Sequence, residues 1–221
     1  LAAGVIGLMA LAWGWRQPDN PVTNFRHVLA VAGSHAWVHG VTTVTTATDR
    51  FDFETWFSPS QRLAAMRSAK FLQHTNYKTG MQTSYHLASA ELRQSLANPH
   101  GEHFGRAFVI ALLNDGDLQA AMPFHRVSGV NKLLVADGHR PLIQYQFQVS
   151  WRSNTSVGWL TTVLVDTDDQ RIVSWEERHT NGTVILTRFD YPTTGPDDIY
   201  QLGAPLDAVW ASDQHPLDES P

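Results

Sequence analysis

From Ala36 onward the chain is a succession of short β-branched and aromatic segments, broken at intervals of roughly 8–12 residues by turns rich in Gly, Asn, Asp and Pro. "AWVHGVTTVTTATD", "RFDFETWFS", "LAAMRS", "FLQHTNY", "MQTSYHLAS" and "AELRQSL" read as strands, as do "NKLLVAD", "PLIQYQFQVSWR", "VGWLTTVLVDTD", "RIVSWEERHT" and "GTVILTRFDYP". In the second of these, alternation sets Phe51, Phe53, Thr55 and Phe57 on one face and Asp52, Glu54 and Trp56 on the other. The connections "DGHRP", "RSNTS", "TDDQ" and "TNGT" have the chemistry of tight hairpins. Strands joined this way stay next to their sequence neighbours, so the pattern predicts an antiparallel meander.

Two stretches carry the helical period instead. Val22, Phe25, Val28, Leu29 and Ala32 predict a short helix over 23–33, entered at Pro21 and stopped at Gly33. Between 102 and 124, Phe104, Phe108, Leu112 and their neighbours predict two helical pieces interrupted at "NDGD". The expected fold class is therefore α+β, one curved antiparallel sheet covered by helices. The first 15 residues, "LAAGVIGLMALAWGW", are uncharged and end on Trp13 and Trp15 before Arg16. With Val5, Ile6, Leu8 and Leu11 they read as the C-terminal part of a transmembrane helix, against the alternatives of a signal-peptide core or a buried helix. The expected organisation is an anchor at 1–16, a linker at 17–22, a β domain at 23–211 and a polar tail at 212–221.

Composition limits the partners. A net charge of −5 with no dense Lys/Arg cluster argues against nucleic acid, and the absence of cysteine removes disulfides, thiolate metal sites and thiol nucleophiles. His100, Glu102 and His103 form the tightest metal-like cluster, but without the i, i+4 spacing that lets two imidazoles meet one ion. A helix stop falls between His35 and His39, so their spacing has no helical meaning. Glu176 and Glu177 are adjacent on a strand and must point to opposite faces, which forbids a joint acid–base role. Asp168 and Asp169 read as hairpin residues, as do Asn154 and Asn181 of "NTS" and "NGT". No metal, cofactor or enzyme activity is expected.

"HGVTTVTTATDRFDFETWFSPSQRLAAMRSAK" and "TTVLVDTDDQRIVSWEERHTNGTVILTRFDYPTTGPDDIY" together resemble the LolA-like envelope domains, particularly those of single-pass membrane proteins of planctomycete-type bacteria associated with anti-sigma factors. The distinctive part is the ending, "FDYP..GP.DIY.LG.P", and the resemblance covers about residues 22–210. It implies a half-open β-barrel with a concave apolar face under helices, outside the inner (cytoplasmic) membrane in the periplasm, whose cavity holds acyl chains of lipid or lipoprotein. Phe25, Leu29, Trp37, Phe57, Phe104, Phe108, Leu112, Phe147, Trp159 and Trp175 are the candidate lining residues; as plain core they would need no ligand. The expected function is a non-enzymatic, membrane-anchored domain that binds or senses lipid, lipoprotein or another envelope ligand. The alternative is an accessory structural subunit of a larger inner-membrane complex, held to other subunits through the anchor.

The ending "RFDYPTTGPDDIYQLGAPLDAVW" carries paired acids but reads as a clasp. Pro192 stops the last strand, Pro196 to Gly203 makes a short helical turn, and Ile199, Tyr200, Leu202 and Leu206 anchor it to the sheet.

Overall fold

The computed structural model describes residues 21–97, 124–137 and 140–211. Proline at the first position and glycine at the last bound α1, Pro21–Gly33, which buries Phe25, Val28, Leu29 and Ala32 along one stripe. The strands are β1 Val38–Thr45, β2 Arg50–Ser58, β3 Leu63–Ser68, β4 Phe71–Asn76, β5 Met81–His86, β6 Glu91–Leu96, β7 His125–Asp137, β8 Arg140–Trp151, β9 Gly158–Asp166, β10 Ile172–His179, β11 Val184–Asp190 and β12 Val209–Trp210. Each of the first eleven overlaps a segment read as a strand. β7 starts at His125 rather than at Asn131, and β12 has no sequence signal.

All the strands join one twelve-stranded sheet in the order β12-β6-β5-β4-β3-β2-β1-β11-β10-β9-β8-β7. The two meanders, β1–β6 and β7–β11, meet in the middle, where β1 pairs antiparallel with β11, His39 opposite Asp190 and Thr45 opposite Val184. β12 lies parallel to β6. Hairpin turns set the local pairing: at 180–183 the Asn181 side chain accepts the Thr183 N–H and Gly182 supplies a φ of 85°. Asn154 accepts the N–H and hydroxyl of Ser156, and Asp169 accepts the Arg171 N–H, as hairpin residues should.

The α+β expectation of a sheet covered by helices is corrected. The described residues form one twelve-stranded sheet with a single 13-residue helix, and among them no helix is long and apolar enough to cross a membrane. The reason is that antiparallel hairpins extend one ladder strand by strand instead of dividing the chain into separate layers. The helical pieces expected over 102–124 lie outside the described residues except at Phe124, which leads into β7. The 1–16 anchor, with Val5, Ile6, Leu8, Leu11, Trp13 and Trp15, and the 212–221 tail also lie outside them.

The buried face changes side across the sheet. Cross-strand partners share a face, and Val38 opposite Phe57 and Phe57 opposite Ala64 place Phe57 under α1, together with Tyr145, Phe147, Val163 and Trp175. Trp56 points the other way, with Ala65, Leu72, Tyr85 and Leu92, and this second core is covered by Ile199, Leu202 and Ala204 from the chain ending. The ending is therefore a clasp over the face opposite α1. It is built from consecutive turns rather than a helical turn: Asp198 accepts the Gln201 N–H at 2.8 Å, and Gly203 donates to the Tyr200 carbonyl. Gly195 fits because an added Cβ would lie 2.4 Å from the Trp37 indole. Tyr200 is 37% exposed and Leu206 86%, so neither anchors the clasp; Ile199 and Leu202, each 4% exposed, do. Tyr200→Ala is expected to lower stability by less than about 1 kcal/mol in urea unfolding. A larger loss would show that the ring packs more tightly than its exposure indicates.

Candidate functional site

The face beneath α1 is an aromatic floor with one acid set into it. The Phe25 ring meets Tyr145 at 5.0 Å, Phe147 at 5.4 Å and Trp175 at 6.1 Å, and Phe147 meets Trp175 edge-on at 5.9 Å. These tilted contacts suit the ring quadrupoles, while Val28 and Leu29 fill the rest of the seam. Strand alternation then forces a polar intrusion. Glu177 and His179 follow Trp175 at two-residue steps on β10 and must share its face.

Glu177 is 2% exposed. Its carboxyl accepts the Trp175 indole N–H at 3.3 Å and lies 3.3 Å from His179 Nε2. Burial pushes the carboxyl's pKa up, against the opposing pull of His179 and the indoles. The carboxyl and the imidazole thus lie within reach of one another near the end of β10. His179 stacks on Trp159 at 5.0 Å, and His125 packs against Trp159 at 5.2 Å and Trp151 at 4.2 Å. Burial holds the His125 pKa down. The Trp159 indole N–H faces Glu177 without completing a well-formed hydrogen bond, and the fully buried Thr161 hydroxyl makes none among the described residues. From exposed Trp151 a row of rings thus leads inward to a carboxyl and a buried hydroxyl.

The expected lining residues divide. Phe25, Leu29, Phe57, Phe147 and Trp175 come together in the floor, and Trp159 packs on its margin. Trp37 is buried apart from them, against Gly195 of the clasp side. Phe104, Phe108 and Leu112 lie outside the described residues, as do His100, Glu102 and His103. Among the described residues no three His, Asp or Glu side chains gather as a metal site. Glu176 and Glu177 do face opposite ways, Glu176 pairing with Arg178 at 2.6 Å on the outer surface. What sequence reasoning missed is that Glu177 shares the buried face of Trp175, although placing Trp175 inward already required it.

A second polar network crosses the outer face. His39 binds Asp190 through Nδ1 at 2.7 Å, lies 3.3 Å from Glu54 through Nε2, and stacks on Trp56. Arg67 in turn binds both oxygens of Glu54 and sits over the Trp56 ring. It links β11, β1, β2 and β3 side by side, a structural seam at the junction of the two meanders.

No protein-family model matches the chain, and no curated protein matches it. Among solved structures, it is similar to an uncharacterized conserved protein from Thermus thermophilus, with TM-score 0.49 and 9% identity over 84% of this chain and 96% of that chain. It is similar to a LolA superfamily protein from Nitrosomonas europaea, with TM-score 0.32 and 8% identity over 78% of this chain and 95% of that one. A chain of the Pseudomonas aeruginosa MucA/MucB complex gives TM-score 0.40 and 13% identity, over 84% of this chain and 62% of that one, less than two thirds of its length. Overlaps this loose carry neither ligand nor activity across.

Proposed function

We propose that this is a non-enzymatic binding domain of the bacterial envelope, acting in the periplasm, that takes an acyl chain of a lipid or lipoprotein between α1 and the aromatic floor. The observation that carries this reading is that one 13-residue helix, through Phe25, Val28, Leu29 and Ala32, covers the floor. Those four side chains are hydrocarbon, so an acyl chain can substitute for them without leaving a polar group unpaired. The row from Trp151 to Glu177 gives such a ligand a polar end: the Glu177 carboxyl and the Thr161 hydroxyl would receive a carbonyl or hydroxyl near the chain's head. The sequence resemblance to LolA-like domains points the same way.

Native mass spectrometry of the purified protein, before and after lipid extraction, tests the reading. Bound lipid, or uptake of a fatty acid by the delipidated protein at one-to-one stoichiometry, is the expected result. A protein that carries no lipid and takes up none would sink it.

A further inference from the structure

The end of the sheet where the ring row reaches solvent has a surface of its own. The start of β7 and the β8–β9 hairpin are tied together there: Arg152 donates its backbone N–H to the Phe124 carbonyl and its Nε–H to the His125 carbonyl, each at 3.0 Å. Trp151 donates to the Val157 carbonyl at 3.1 Å, closing the hairpin beside them. The result exposes Phe124 by 64%, Val157 by 45% and Trp151 by 37%, and Arg126 and Arg152, close to them in the chain, are exposed as well. Neither 124–128 nor 151–159 contains an Asp or Glu, in a chain whose net charge is −5. Among the described residues, no carboxylate pairs with either arginine.

We propose that this end is a docking surface for a lipid bilayer bearing anionic headgroups. Apolar side chains clustered at a loop tip are costly to leave in water and suit the boundary between headgroups and acyl chains, where Trp is favoured. Arg126 and Arg152, the chain neighbours of this apolar cluster, supply the cations that an interfacial anchor carries beside its apolar residues, and their sign complements an anionic headgroup surface. The proposal stands on this surface alone and does not require an acyl chain beneath α1. Were both true, docking would set the Trp151 end of the ring row against the membrane.

The chain has no cysteine, so a single Ser153→Cys in the hairpin can carry an environment-sensitive fluorophore without competing sites. Lys78→Cys, in the turn after Asn76, places the same dye at the opposite end, because Asn76 aligns through Leu63, Ser58 and Phe57 with the start of β1, whereas the hairpin aligns with its end. With the full chain on vesicles of mixed phosphatidylglycerol and phosphatidylcholine, the dye at 153 is expected to shift blue and brighten, and the dye at 78 to stay unchanged. Arg126→Gln and Arg152→Gln should each weaken the response about fivefold, and salt at about 0.5 M should suppress it. Phe124→Ser with Trp151→Ser should abolish it, with far-ultraviolet circular dichroism confirming an intact sheet; Arg126→Gln changes only an exposed side chain and keeps the test independent of folding. Equal responses of both dyes, an equal response on pure phosphatidylcholine, or silence of the dye at 153 on the anionic vesicles would overturn the proposal. Acyl-chain uptake is read separately by mass spectrometry, so either idea can fail alone.

Discussion

Phe25→Ala should lower the stability of the domain by about 3–5 kcal/mol in equilibrium urea unfolding, the range for removing a buried aromatic ring. Phe25 is 5% exposed and is the one residue of α1 whose ring touches those of Tyr145, Phe147 and Trp175 together. Its loss removes three tilted ring contacts and leaves a gap between helix and sheet that strands hydrogen-bonded on both sides cannot close by moving. The midpoint should fall with little change in the slope against urea. A fall under about 1 kcal/mol would mean that α1 detaches before the sheet unfolds and is not part of the cooperative unit. The same variant bears on the proposed function. A fatty acid that occupies the vacated floor binds only the folded protein, so adding it should raise the variant's midpoint more than the wild type's.

Glu177→Gln is expected to stabilise the protein by about 1–3 kcal/mol at about pH 8 and by much less at about pH 4. Burial raises the Glu177 pKa above its ordinary carboxylate value, while the unfolded chain leaves it ordinary. Between those two values the folded protein keeps a proton that the unfolded chain has lost. The stabilising share of the acid is therefore fully present below the unfolded value and is lost as pH rises through the folded one. Glutamine remains neutral at every pH, keeps an oxygen to accept the Trp175 N–H, and offers an N–H to His179. Thermal melts of both proteins across this range should diverge as pH rises. Parallel curves would show that the carboxyl titrates alike in the folded and unfolded chain, against the effect of burial.

How much of this was legible beforehand follows from the range of each interaction. The floor residues Phe25, Leu29, Phe57, Phe147 and Trp175 could be named from periodicity, because an apolar residue on a strand or helix face seeks cover wherever the chain goes. Glu177 could have been placed with them, since its parity with Trp175 is a local fact, but an acid looks like a surface residue until its neighbours are known to be buried. Trp37 failed in the other direction. It is buried as expected, but against Gly195, a contact 158 positions along the chain that no local pattern announces. The same holds for the His39, Asp190, Glu54 and Arg67 network, whose members come from four strands.

By itself the sequence determined where most of β1–β11 lies, that hairpins join strands within each meander, and that α1 has one apolar stripe. These follow from a period of two, a period of 3.6 and turn chemistry, all acting over a few residues. Only the tertiary structure decided that β1 closes onto β11, that the meanders merge into one sheet instead of a helix-covered α+β layer, and that the buried face crosses over between Phe57 and Trp56. Alternation dictates that neighbouring side chains point to opposite sides. Which side is covered depends on what arrives from elsewhere in the chain: α1 on one face of this sheet and the Ile199–Leu202 clasp on the other.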